Sequence, residues 1–222
     1  MKRQAGFTLV EIAIVLVIIG LLLGGVLKGQ ELINSAKVKN MINDFRNVPV
    51  FIYGYQDKFK KLPGDDPAAA TNVGATGHNG NGNGRLDGSW EDGQGGTAAT
   101  TETYYFWEHV RRANLASGST DTSNPASYLP TNSEGGFIGI ESVAQPTGTQ
   151  PYITNLNGTY LLCSKGILGK FAKQIDIQID DGNTAQGQVR VVPNSGYTRG
   201  SSSGLPNTNV DDSTQYTVCL AF

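Results

Sequence analysis

A single carboxylate, Glu11, stands near the start of an otherwise apolar run, Phe7 to Leu27, which follows the short basic leader MKRQAG. At a helical rise of about 1.5 Å per residue the run covers roughly 30 Å, enough to cross the hydrocarbon of a bilayer. An ionised side chain in that medium costs about 2.5 to 3.5 kcal/mol even on lenient insertion scales, so Glu11 is expected to have a partner charge. Lys2 and Arg3 precede the run. The positive-inside bias therefore keeps the N-terminus in the cytoplasm and sends the chain after Lys28 outward.

A secretory signal of the usual kind is cut behind a shorter apolar core, at a small-residue site. Gly24 and Gly25 make a poor version of such a site. The stretch Gly6-Phe7-Thr8-Leu9-Val10-Glu11 instead resembles the cleavage motif of type IV prepilins and type II secretion pseudopilins, in which the cut falls ahead of the apolar run. The resemblance implies that a prepilin peptidase cuts between Gly6 and Phe7 and that the new Phe7 amine is N-methylated. It further implies that Glu11, then the fifth residue of the mature chain, meets the terminal amine of a neighbouring subunit. The plainer alternative is a signal anchor with an incidental Glu, although an ionisable residue inside a membrane helix is functional by default.

The same resemblance divides the chain into a leader over 1–6, a membrane and assembly helix over 7–27, a continuation of that helix over 28–61, and a globular head over 62–222. It implies no enzymatic activity. The partners it implies are membrane lipid before assembly, prepilin peptidase, an inner-membrane assembly platform, and other pilins in a helical filament. The precursor would cross the bacterial inner membrane once with its C-terminus periplasmic, and the assembled form would be an extracellular pilus or a periplasmic pseudopilus.

Of 222 residues, those beyond the membrane helix suffice for one domain of ordinary size. A net charge of -2 offers no basic field for a polyanion, so nucleic acid is not an evident partner. With 29 glycines and only 16% charged residues, the exported part is expected to be loop-rich and solvated through Asn, Ser, Thr and Gly. Cys163 and Cys219 both lie there, and an oxidising compartment makes a disulfide between them the expectation. Closing so long a loop stabilises by roughly 4 kcal/mol in the chain-entropy model.

Beyond the membrane run, Val38, Met41, Phe45, Val48, Ile52, Tyr55 and Phe59 recur at alternating steps of three and four, which predicts that the helix continues with one buried stripe. Pro49 removes a backbone bond within it and predicts a kink near Phe45 to Pro49. Leu62-Pro63-Gly64-Asp65-Asp66-Pro67 stops the helix. From Gly64 to Thr100 glycine occupies ten positions and apolar periodicity disappears, the mark of disorder or of a ligand-organised loop. Tyr104 to Leu115 reads as a short amphipathic helix with Phe106, Val110 and Ala113 on one face. Strands are expected over 136–143, 159–163, 187–192 and 215–220, with a helix from Ile167 to Ile179 between the second and third. The fold class is α+β: a long N-terminal helix whose second half packs on an antiparallel sheet, forming a pilin-like head with loop insertions.

Asn79, Asn81, Asn83, the Arg85 carbonyl and Asp87 stand at alternate positions with Gly84 at the turn, the spacing of an EF-hand-like calcium loop. The twelfth position is Trp90, with the acidic Glu91 one residue late. Asn ligands carry no charge, so affinity would be modest unless Asp65, Asp66 or Asp92 joins. Some pseudopilins hold calcium in a loop of the head, whereas the competing reading is a Gly-Asn turn repeat that binds nothing. Gly200-Ser-Ser202-Ser-Gly204 matches a nucleophile-elbow pattern but lacks the following helix. His78 and His109 are too few for a zinc cluster, and His109 is expected on a helix surface. Core packing accounts for most of Phe45, Phe51, Tyr53, Tyr55 and Phe59. Three functions remain open: a pilus subunit, a secretion pseudopilin, or a membrane-anchored binding protein that never polymerises and uses the loop over 64–100.

Overall fold

The computed structural model describes residues 8–222, so Gly6 and Phe7, the expected processing pair, lie outside the described residues. The first element is one helix, α1, over Leu9–Phe59. The chain separates into two compact units, Met1–Lys39 and Asn40–Phe222. In the first, every residue from Thr8 to Lys28 is exposed. Among the described residues this is the one helix long and apolar enough to cross a membrane. Its Ile, Val and Leu side chains have no core of their own. Helix is the form in which such a segment satisfies its backbone polar groups without water.

In the second unit the rest of α1 buries Met41, Ile42, Phe45, Val48, Ile52 and Tyr55, the stripe that the three-four spacing predicts. The helix continues through Pro49. Tyr53, however, is 66% exposed, so it does not belong to the core with Phe45 and Tyr55. The helix is followed by Lys60 in the left-handed region at φ 58°, whose N–H still donates to the Gln56 carbonyl at 2.8 Å. Toward this end Gly54 lies against the Leu115 side chain, and Tyr55 stacks on His109 with ring centroids 6.2 Å apart.

Four short helices follow: α2 over Ala69–Asn72, α3 over Glu102–Arg112, α4 over Pro125–Tyr128 and α5 over Gly169–Ile179. The four strands are β1 (Ile138–Ser142), β2 (Tyr160–Leu168), β3 (Val189–Pro193) and β4 (Gln215–Ala221). They form one sheet in the order β1-β2-β4-β3, antiparallel throughout. The α+β expectation and all four strands hold.

One boundary moves. Ile167 and Leu168, expected to open the fifth helix, pair with Tyr216 and Gln215 as the end of β2. The register shifts between Ser164 and Ile167, where Gly166 adopts φ 74°, and this irregularity carries the strand past the point where simple alternation stops. Beyond it α5 is helical as expected, with Ile175 fully buried and Ile177 65% exposed. Cys163 faces Cys219 directly across β2 and β4, and the two are joined by a disulfide. They sit in a cluster with Trp90, Tyr152, Ile153, Leu161 and Val192.

Candidate functional site

At the start of α1, the Glu11 carboxylate accepts hydrogen bonds from the Thr8 backbone N–H and the Thr8 hydroxyl, both at 2.7 Å. In return the Glu11 N–H donates to Thr8 Oγ1 at 3.3 Å. This is a capping box, and its Thr-x-x-Glu signature stands in the sequence. It places the negative charge at the positive end of the helix dipole. Thr8 is thus the side chain that orients Glu11, a pairing that the assembly motif itself does not announce. Because its donors are neutral, the cap orients the carboxylate without neutralising it.

The Asn/Gly loop is held by carboxylates. Asp65, buried at the foot of α1, accepts Gly82 N–H and Asn83 N–H on Oδ1 at 2.5 and 3.0 Å, and Gly84 N–H on Oδ2 at 2.7 Å. Gly80 packs directly on the Asp65 backbone, leaving no room for a Cβ. Asp66, fully buried, accepts the Tyr55 hydroxyl at 2.8 Å and the Asn72 amide at 2.7 Å. Asp92 accepts Ser89 N–H and the hydroxyls of Thr101 and Thr103. The segment over 64–100 is thus organised by its own acidic residues.

Of the six residues expected at a calcium loop, Asn81, Asn83 and Asp87 come together: both amide nitrogens donate to Asp87 Oδ2, at 2.9 and 2.8 Å. The Asn81 and Asn83 oxygens accept the N–H two residues onward, at Asn83 and Arg85, as Asx turns do. Asn79 turns away to accept Ala70 N–H at 2.9 Å. The Arg85 side chain approaches Asp87 at 3.6 Å, and Asp87 Oδ1 has no hydrogen-bond partner. Glu91 is exposed. Besides Asp65, the carboxylate that reaches the loop is Glu102, at the start of α3, which accepts Asn81 N–H at 2.8 Å and Asp87 N–H at 3.0 Å. Burial, with smaller contributions from Asp65 and Asp87, pushes the Glu102 carboxyl up to about 7 against the pull of those two amides. The donor set is all oxygen, which suits a hard cation, but most of its oxygens already accept hydrogen bonds from the loop.

His109 is not on a helix surface: it is fully buried. Its Nδ1 accepts Gly64 N–H at 2.8 Å, so Nε2 carries the proton and donates to the His78 carbonyl at 2.8 Å. Helix α3 is buried on every side from Glu102 to Arg111, its polar groups meeting partners in the loops around it as well as within the helix. Glu108 meets His78 and Arg112, each at 2.5 Å. On the sheet side, the buried Glu141 is bracketed by the Arg199 guanidinium at 3.0 and 3.1 Å and by the N–H groups of Trp90 and Tyr152. Ser202 lies in an exposed irregular segment with only a three-residue turn of helix beyond it, Asn207–Asn209.

Residues 1–27 match the family model described as the prokaryotic N-terminal methylation motif, the signature of type IV pilins and pseudopilins. No curated protein and no solved structure matched the chain. The match ends at residue 27 and so takes in the apolar first part of α1, and the motif and this apolar stretch fit a membrane-anchored precursor.

Proposed function

We propose that the chain is a structural subunit of a type IV pilus or pilus-like filament, catalysing no reaction, cut by prepilin peptidase between Gly6 and Phe7 and methylated on the Phe7 amine. The observation that carries this reading is the methylation motif over residues 1–27 on a helix whose apolar side chains from Leu9 to Leu27 are all exposed. Such a surface requires lipid before assembly and the same helices of other copies afterwards. In the fibre, Glu11 pairs with a neighbour's Phe7 amine, and the Thr8 cap holds the carboxylate at the helix end where that amine arrives.

In this proposal residues 1–6 are the leader, 7–27 the membrane and assembly helix, 28–61 its continuation and 62–222 the displayed head. The precursor sits in the inner membrane with its head periplasmic, and the assembly platform lifts it into a pilus or, in the second reading, a secretion pseudopilus. Mass spectrometry of the mature chain tests it: a species beginning with methylated Phe7 is expected. An intact Met1 would place the chain instead among membrane-anchored binding proteins that do not polymerise. Calcium in the Asn/Gly loop belongs to the same proposal, with Asp87 as charged ligand, Asn81 and Asn83 beside it and the Arg85 carbonyl completing the turn. Calorimetry showing no heat attributable to this loop at about millimolar calcium, the range of extracellular calcium modules, would remove it.

A further inference from the structure

Three carboxylates gather where α5 ends. Oxygens of Asp176, Asp180 and Asp181 lie within 4.8 Å of one another. The spacing of four and five residues brings them around the last helical turn, which is the negative end of the helix dipole and the wrong end for anions. Two of the three have local partners. Asp180 accepts Val189 N–H at 2.8 Å and lies so close to Gly187 that a Cβ there would collide with it. Asp181 accepts Asn183 N–H at 2.8 Å and is exposed.

Asp176 is different. It is 0% exposed, and neither of its oxygens makes a hydrogen bond of good geometry, the Gly182 amide being the weakest of the influences on it. Leaving a buried acceptor unsatisfied costs roughly 1 to 3 kcal/mol, more if it is charged. Burial first, then the charges of Asp180 and Asp181, push its carboxyl up to about 7, with partial relief from Arg190 and the Gly182 amide. Arg190 does not close on it: Nη1 donates to the Gly187 and Val189 carbonyls, and Nε has no partner. A wholly buried carboxylate without a well-formed hydrogen bond therefore lies beside two more, with the Arg190 guanidinium donating to backbone carbonyls.

We propose that Asp176, Asp180 and Asp181 form a divalent cation site of the calcium class that fastens the end of α5 to the start of β3. Oxygen-only donors select a hard cation. Calcium accepts carboxylates at about 2.3 to 2.6 Å in flexible geometry, whereas magnesium demands a near-ideal octahedron and keeps several of its waters, so three side chains gathered at a helix end suit calcium better. The exposed Asp181 gives the ion its way in, and Asp180 couples the site to β3 through Val189. The site is separate from the Asn/Gly loop and does not depend on whether the chain polymerises.

The test uses the detergent-solubilised full chain, calcium chloride and magnesium chloride as probes, isothermal titration, and hydrogen exchange over residues 180–189. Calcium is expected to bind in the range of extracellular modules, about 10⁻⁴ to 10⁻³ M, and to slow exchange at Val189 and its neighbours. Asp176→Asn should abolish both effects. Should that variant fail to fold, Asp181→Asn decides, because its exposed side chain can change without disturbing the core; it should weaken binding by roughly tenfold or more through lost ligand charge. Asp87→Asn should leave protection of 180–189 unchanged. Wild-type protein with no calcium-dependent protection there, protection that survives Asp181→Asn unweakened, or equal protection by magnesium would overturn the site.

Discussion

His109 shows how much one side chain can fix. Its imidazole accepts from Gly64 N–H and donates to the His78 carbonyl, so the neutral form with the proton on Nε2 is the one that fits. Burial holds it below its ordinary value of 6.5, against smaller opposing pulls from the His78 carbonyl, Glu108 and Asp66. A folded value below the unfolded one means that this contribution to stability is complete above pH of about 6.5 and is lost as pH falls through the folded value. Asp44, pushed up to about 6 by burial, and Glu102 act with the opposite sign, losing their contribution as pH rises. Comparing wild type with His109→Phe cancels those terms. The variant should be less stable by about 1 to 3 kcal/mol near neutral pH, since Gly64 N–H loses its acceptor, and its stability should fall less steeply on acidification. Denaturant melts across that range check both.

At the same scale, Glu11 stands out in the sequence alone, because a carboxylate in an apolar run has few explanations; its pairing in a fibre is a proposal. Thr8 is equally readable as its cap, through the Thr-x-x-Glu signature. His109 was misread for a physical reason: amphipathic spacing assumes that one face meets solvent, and α3 has no such face. Periodicity announces the helix but not the enclosure of its polar side, whose charged residues are paired with one another and with neighbouring loops, as Glu108 is with His78 and Arg112. Asp176 was hidden because an Asp in a polar helical pattern reads as surface, and only the packed structure shows it enclosed.

At the scale of elements, the long loop is the most informative. Its ten glycines in sequence order suggested disorder or a ligand, whereas Asp65 supplies the organising anion to three successive N–H groups of the loop. Asp65→Asn should destabilise the head by about 2 kcal/mol or more, because hydrogen bonds to a charged acceptor are among the stronger ones. Hydrogen exchange should quicken over residues 80–88 while α5 is unaffected. The β2–β4 pair makes a second case. Cys163 and Cys219 are 56 residues apart and directly opposite in register, so replacing both by Ser should lower stability by about 4 kcal/mol in the chain-entropy model. Thermal unfolding of the double variant measures it. The strands themselves were readable as short apolar runs bounded by glycine and polar turns, but the end of β2 was not, since the register shift at Lys165-Gly166 interrupts the run before Ile167 and Leu168 resume it.

For the whole molecule, two units carry two different physical problems. The residues from Asn40 onward bury a stripe, a sheet and a disulfide-linked cluster. The residues before them present an apolar helix that buries none of its side chains from Leu9 to Leu27, so its stabilisation must come from lipid or from other copies of the helix. Glu11 is where the proposed fibre differs most from lipid: in lipid alone its charge is a cost, and beside a neighbour's amine, as proposed, it would be a bond. The decisive measurement is the amount of Glu11→Val chain recovered in sheared filaments, relative to wild type, from cells in which both are equally abundant in the membrane and equally processed. The account predicts that the variant is missing from the fibres. Recovery at the wild-type level would contradict it.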